Sequence, residues 1–285
     1  MKALVTFLFM ICFVGRSSHA SAQVQYTAKD STIVMNLLQK AVASKQKRNV
    51  FLFFARSLEG TPYVAQTLEH NEQEQLVVNL REVDCTTYVE YVLALTLCHC
   101  NNKPTFAAFC DYLRRIRYIN GQISYTTRQH YFTIWIEGNR KNGYVTEIQA
   151  PDPPFTQTQT IAVDYMSNHP EKYPMLAKHK KLIESIKQLE RGCNGAVYKY
   201  IPKTAVANTP LFRHTVRNGD ILALVTKKKG LDTTHIGIAV WHKDGLHLLN
   251  ASSIRKKVVD ETIPLKTYMQ KQTSQIGIRV IRVLP

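Results

Sequence analysis

Hydrophobic spacing changes partway along this chain. Ile33, Leu37, Leu38, Ala41 and Val42 recur at three- and four-residue intervals, which predicts mainly helix over residues 30–58, capped by Asp30 or Ser31 and broken at Gly60-Thr61-Pro62. Residues 76–80 read as a short strand. Tyr88, Val89, Val92 and Leu93 stand three, four, seven and eight places after Cys85, which predicts a helix starting at Asp84-Cys85 with the thiol at the top of an inward face. Further on, 106–117 reads as helix, 131–137 as strand, 150–154 as loop, and 175–191 as one amphipathic helix closed by Gly192. Strand-like runs then dominate, over 220–225, 235–240, 246–250 and 277–283. No internal repeat is visible. Helices first and antiparallel strands later predict an α+β fold.

The first 22 residues stand apart from this pattern. A basic start at Lys2, an apolar core and small residues at Ala20 and Ala22 predict a signal peptide, too short and wrongly flanked for a membrane span. Cys12 lies inside that apolar core and is expected to leave with it. No later segment is apolar for long enough to span a membrane, so the mature chain is expected to be exported, to periplasm or exterior. Loss of Lys2 and Arg16 leaves a net charge of +14, two below the +16 of the whole chain. Such a charge suits an anionic surface such as a carboxylate-rich cell wall. Nucleic acid is not expected as a partner, because no recognition motif accompanies the charge. Residues 23–285 are enough for a single catalytic domain with a substantial core.

Five cysteines remain after residue 22 (Cys85, Cys98, Cys100, Cys110 and Cys193), and an odd number leaves at least one thiol unpaired. Cys85 is the candidate, since the N-terminus of a helix favours the thiolate. His235 heads a strand-like run and Asn250 ends the next one, with Asp244-Gly245 marking the turn between them. A four-residue loop over 241–244 would place His235 directly opposite Asn250, whereas a two-residue Asp244-Gly245 turn would place Asn250 opposite Ala239. In both registers His235, Gly237, Ala239, Leu248 and Asn250 share a face. Gly237 and Ala239 are small, as a close approach of the Cys85 helix to that face requires. His247 falls on the other face and His242 in the turn, and both read as structural.

The chemistry implied is a Cys85–His235–Asn250 site: nucleophile, proton carrier and orienting amide. The Cys85 N–H is the candidate oxyanion donor. Asp84 is the candidate helix cap, its carboxylate expected to point away from the thiol. Cys98-His99-Cys100 with Cys110 does not have the spacing of a zinc site, and no metal or cofactor is expected. Asn250-Ala251-Ser252 also matches a glycosylation sequon, relevant only in a eukaryotic secretory route.

On these residues the chain resembles the NlpC-type cell-wall hydrolases, which share the papain-like fold. The matching fragments are Thr61-Pro62-Tyr63, Asp84-Cys85, Gly219-Asp220-Ile221, His235-Ile236-Gly237-Ile238 and Asn250-Ala251-Ser252. The family's tyrosine near the nucleophile falls on Tyr63, which with Asp84 is expected to contact substrate. Two features depart from the compact members: Asn250 where histidine is frequent, and 150 residues between Cys85 and His235. That gap, Arg81-Glu82 and the 131–135 segment resemble the N-acetylmuramoyl-L-alanine amidase-like branch. The resemblance implies helices on a central antiparallel sheet, with residues 104–217 as a family-specific insertion. It also implies cleavage of the muramoyl–L-alanine amide in peptidoglycan or muropeptides. The alternatives are a γ-D-glutamyl–diamino-acid endopeptidase and a non-catalytic wall-binding module.

Overall fold

The computed structural model describes residues 24–44 and 49–284; the expected leader, including Cys12, and the basic run at 45–48 lie outside the described residues. The chain starts with strand β1 (Val24–Gln25) and helices α1 (Ala28–Ala43) and α2 (Val50–Ser57). Strand β2 (Leu76–Val77) pairs in parallel with β1 and leads to helices α3 (Cys85–Cys100) and α4 (Phe106–Arg117). The middle of the chain holds α5 (Phe132–Lys141), β3 (Val145–Ile148), β4 (Gln157–Thr160), α6 (Tyr165–Asn168), α7 (Pro174–Lys178), α8 (Leu182–Cys193), β5 (Val197–Pro202) and α9 (Pro210–Thr215). It ends with β6 (Ile221–Thr226), β7 (Thr233–Trp241), β8 (Leu246–Ser252), β9 (Lys257–Asp260), α10 (Leu265–Gln270) and β10 (Gln275–Val283).

The predicted α+β arrangement is present. Strands run β4-β5-β10-β6-β7-β8-β9, with β3 also on β10, and every pair in this sheet is antiparallel. The segment 104–217 is woven into this frame: α4 packs on α3, and both β3 and β5 pair with β10. One face of the sheet (Ile236, Ile238, Val240, Leu249, Ala251) packs on α1–α4, and the other (Leu222, Leu224, Ala239, Leu248, Ile278) packs on Phe155, Phe212, Leu265 and Met269. A third cluster, including Tyr131, Met166 and Ile186, holds the middle segment together.

Several local expectations are corrected. The cap of α1 is Thr27, not Asp30 or Ser31. Asp30 sits at the third helical position, where its carboxylate accepts from the Thr27 N–H at 2.9 Å and Thr27 Oγ1 at 2.6 Å. Residues 131–137 are the start of helix α5, not a strand. Their β-branched and aromatic content favours strand locally. Burial of Phe132, Thr133, Trp135, Ile136 and Asn139 at helical spacing prevails, and the Asp232 carboxylate accepts the Thr133 N–H at 2.6 Å. The single helix expected over 175–191 is two, divided at His179 in non-helical backbone. The second runs through Gly192 to Cys193, and the left-handed glycine beyond it is Gly195.

Helix α3 departs furthest from its expected form. Every residue from Thr87 to Cys98 is buried, so the helix has no solvent face; α1, α2, α4 and the β7–β8 region enclose it. Glu90, a carboxylate in this interior, pairs with buried Arg117 of α4 at 2.7 Å, and Arg117 Nη1 donates to the Val77 carbonyl at 2.8 Å. An R117M variant leaves Glu90 buried and unpaired. It is expected to lose about 3–5 kcal/mol of stability by urea unfolding, and E90L in the same chain should restore part of that loss. No recovery in the double variant would show that the pair itself is not the source of the cost.

Candidate active site

At the start of α3, Asp84 Oδ1 accepts the N–H groups of Thr86 (3.1 Å) and Thr87 (2.8 Å), and Thr87 Oγ1 accepts the Asp84 N–H at 2.9 Å. The carboxylate therefore caps the helix instead of pointing away, because two otherwise unpaired amides outweigh the nearby thiol. Its charge is felt at that thiol. Burial, and then Asp84, push Cys85 up to about 12, with the Ile236 backbone and the Thr86 side chain acting the other way. The helix terminus does not yield the low-pKa thiol that the sequence suggests: desolvation wins.

Ile236, whose backbone acts on Cys85, follows His235 on β7. At that point β7 is irregular: Leu224 pairs with His235 but Val225 with Thr233, so Thr234 is an extra residue in a bulge. The register between β7 and β8 is neither of the two expected. Ala239 pairs with Leu248 and Trp241 with Leu246, so Gly237 lies opposite Asn250 and His235 sits diagonal to it. The diagonal contact still closes, with His235 Nε2 2.8 Å from Asn250 Oδ1. Gly237 makes room for it. A Cβ there would stand 2.7 Å from Leu248 Cδ1 and 2.9 Å from Asn250 Cβ. The small residues were expected to admit α3, but α3 packs on the opposite face, and Gly237 serves the asparagine instead.

The orientation of Asn250 follows from its other partners. Its Nδ2 faces the Leu248 carbonyl (3.2 Å), the Val259 carbonyl (3.5 Å) and Glu261 Oε1 (3.5 Å), all acceptors. The amide oxygen must then face His235, so Nε2 carries the proton and Nδ1 holds the lone pair. Glu261, which the sequence reading missed, is itself buried and held by Ser252 Oγ at 3.0 Å and Arg255 Nε at 3.5 Å. Only a buried acid a few residues beyond an Asn-Ala-Ser strand could have signalled it. His235 is lowered by burial, with Asn250, Glu261 and Asp84 acting the other way. The resting pair is accordingly a neutral thiol and a neutral imidazole.

Cys85 and His235 line one cleft of about 210 Å³ with Thr86, Gln129, His130, Tyr131, Tyr173, Asp232 and Thr234. A second cleft continues from Thr86, Gln129, His130 and Tyr173 towards Asp84 and Arg128. A larger hollow of about 590 Å³ lies between α5 and α8 and shares only Gln129 with the Cys85 cleft. Burial, and then the proximity of Cys85 and Asp84, push the Tyr63 phenol up to about 12, and it keeps its proton as a donor. Gln129, His130 and Tyr173 come from the middle segment and were not anticipated. His130 is no rival base: burial and Arg128 push it down to about 3, and Nε2 donates to the Tyr125 carbonyl at 2.7 Å. Cys98, Cys100, Cys110 and Cys193 are free thiols outside this cleft.

The class that emerges is an amidase-like protein of α+β fold. Residues 53–278 match the AmiA-like family, described as N-acetylmuramoyl-L-alanine amidase-like, and the chain belongs to that family. A crystal structure of an N-acetylmuramoyl-L-alanine amidase from Bacteroides uniformis is 38% identical and superposes with a TM-score of 0.77, covering 83% of this chain and 98% of that one. A Bacteroides fragilis structure with a provisional xylanase name is also 38% identical, with a TM-score of 0.74 over 80% of this chain and 99% of its own. A Legionella pneumophila protein at 23% identity shares the fold, with a TM-score of 0.71 over 90% of this chain and 95% of that one. No curated protein matches the chain. Among the described residues, no helix is long and apolar enough to cross a membrane.

Because the free thiol is neutral, alkylation of Cys85 by iodoacetamide is expected to be slow at pH 7 and to rise about tenfold per pH unit above it. Peptide mass spectrometry at Cys85 reads this directly. A rate already level below pH 7 would instead mean a resting thiolate–imidazolium pair.

Proposed function

We propose that this protein is an exported cysteine amidase, periplasmic or extracellular, whose residues 23–285 form one papain-like, NlpC-type catalytic domain. It hydrolyses the N-acetylmuramoyl–L-alanine amide of peptidoglycan fragments. The observation that carries this reading is the fixed orientation of Asn250, which leaves His235 Nδ1 unprotonated in the cleft that holds Cys85. His235 takes the thiol proton as Cys85 attacks the lactyl carbonyl, then delivers it to the leaving amino group of L-alanine. Water, activated by the same imidazole, releases the muramoyl acid. Asp84 occupies the Thr86 and Thr87 amides, so the oxyanion falls to the N–H of Cys85, with the Tyr63 phenol as a second donor. Residues 104–217 supply Gln129, His130 and Tyr173 to the cleft and shape its specificity.

The name of the B. fragilis relative raises a second reading, glycoside hydrolysis. That chemistry needs a pair of carboxyl groups flanking the bond. Of the acids lining the two joined clefts, Asp84 and Asp232 are committed to backbone amides and Glu69 and Glu90 are paired with Arg128 and Arg117, and the proposal favours acyl transfer for that reason.

Purified muropeptides separate these readings. Mass spectrometry is expected to show free N-acetylmuramic acid sugar and intact L-alanyl peptide, with no product from a Cys85→Ala variant. Release of an L-Ala–D-Glu fragment would support the endopeptidase, reducing ends from xylan the glycosidase, and digestion by Cys85→Ala would sink the thiol mechanism. The acid limb of kcat/KM reports deprotonation of the base in the free enzyme. With His235 lowered, that limb is expected below pH 6.5, and activity should persist into mildly acidic buffer. A limb above pH 6.5 contradicts the buried neutral imidazole.

A further inference from the structure

The far end of the same hairpin holds a second cluster of chemically capable side chains. His242 ends the β7 side, His247 lies on β8 and Asp260 closes β9, and one ligand atom from each lies within 4.8 Å of the others. His242 is seven residues along β7 from His235, roughly 20 Å at strand rise, so this is not the cleft described above. We propose that His242, His247 and Asp260 form a structural zinc-type site that clamps the tip of the β7–β8 hairpin to β9.

Three observations converge on a cation here. The first is His247, whose side chain is 4% exposed and both of whose ring nitrogens face oxygen. Nδ1 is 2.6 Å from the Glu261 carbonyl and must donate to it, while Nε2 is 2.9 Å from Asp244 Oδ1. An imidazole tied through one nitrogen to a backbone carbonyl, with the other facing a carboxylate, has the outer-shell arrangement of a metal-bound histidine. The second is ring packing: the imidazoles of His242 and His247 lie 4.1 Å apart between centroids, a poor arrangement for two imidazolium cations and a workable one for two neutral ligands. The third is Asp260, where both basic partners gather on one oxygen. His242 Nε2 is 3.0 Å and Arg56 Nη2 3.3 Å from Oδ2, whereas Oδ1 is buried with no hydrogen-bond partner.

Two imidazoles and a carboxylate are a donor set for Zn²⁺, with Asp244 or water available as the fourth ligand. Tetrahedral zinc with bonds of about 2.0–2.2 Å sets its donors roughly 3.3–3.5 Å apart, a small closure from the present spacing. His242 is placed to make that movement. Its ring is 40% exposed, while its backbone is anchored by the Gly245 carbonyl at 2.8 Å and by Arg213 at 2.9 Å. Arg56 competes for Asp260, but it already faces Glu59 at 3.7 Å and can turn to that carboxylate when the metal binds.

The test uses tag-free, chelator-stripped protein titrated with Zn²⁺ against a chromophoric chelator, with thermal unfolding in parallel. One zinc per chain is expected, with a rise in Tm of roughly 5 °C at a hundredfold excess over Kd. Co²⁺ in its place should give the visible spectrum of a nitrogen–oxygen site without a thiolate charge-transfer band. His242→Ala should lower affinity at least tenfold, and Arg56→Gln, which frees Asp260, should raise it. Absence of stoichiometric binding, a thiolate band, or affinity unchanged by His242→Ala overturns the proposal and leaves a hydrogen-bonded histidine–carboxylate cluster. None of these readouts depends on what the Cys85 cleft hydrolyses.

Discussion

The structure depends on the burial of α3 on every side from Thr87 to Cys98. A helix with no solvent face can neither tilt nor slide without opening a void, so its first residue is held to within the tolerance of a packed core. That first residue is Cys85. The requirement extends outward. Interior Glu90 needs Arg117, Arg117 positions α4, and the amides at the exposed end of α3 need the Asp84 carboxylate. Tyr88 and Tyr91 add hydroxyl bonds from the same helix to the Ala55 and Val77 carbonyls, tying α2 and the segment before Cys85 to the same rod.

The same burial sets the electrostatics of the thiol. The Ile236 backbone and the Thr86 side chain act to lower its pKa, yet desolvation dominates and the adjacent cap adds a like charge. His235 is subject to the same penalty with the opposite sign, since burial disfavours imidazolium as it disfavours thiolate. Both groups are pushed towards their neutral forms. A site of this kind stores no ion pair at rest; in the proposed reaction the proton moves only when a substrate carbonyl is present to accept the sulfur's electrons. Protection of the thiol from casual oxidation follows from the same cause, because the thiolate is the oxidisable form.

Much of this was legible in sequence. The strand-like runs after residue 217 located four strands of the sheet, and Asp84-Cys85 located a helix start, because both patterns are local. What failed was set by distant partners. Residues 131–137 have strand-like composition, yet Asp232, a hundred residues away in sequence, accepts an amide in the first turn of α5 and helps make it a helix. The all-round burial of α3 was invisible because its polar residues, Thr87, Glu90 and Thr96, are satisfied by groups elsewhere or within the helix. Parity along the strands placed His235 and Asn250 on one face. The register itself depended on a four-residue turn over 242–245, one position from the expected loop, which spacing cannot distinguish.

That register explains why a glycine stands where the strand pattern would favour a branched residue. With Gly237 opposite Asn250, the asparagine Cβ occupies space that a side chain at 237 would fill, and only then does the amide lean far enough to meet His235 two residues away. The lean must be held from behind, and Glu261 does this through Asn250 Nδ2 and Ser252 Oγ. The backbone carbonyl of Glu261 simultaneously accepts from His247 at the other end of the hairpin, and its N–H donates to the Leu248 carbonyl. One residue just beyond β9 thus fixes the orientation of the imidazole partner with its side chain and the hairpin tip with its main chain. The position of Asn250 is therefore a property of the three-strand unit β7–β8–β9 as a whole, and a displacement of β9 at either end is felt at His235.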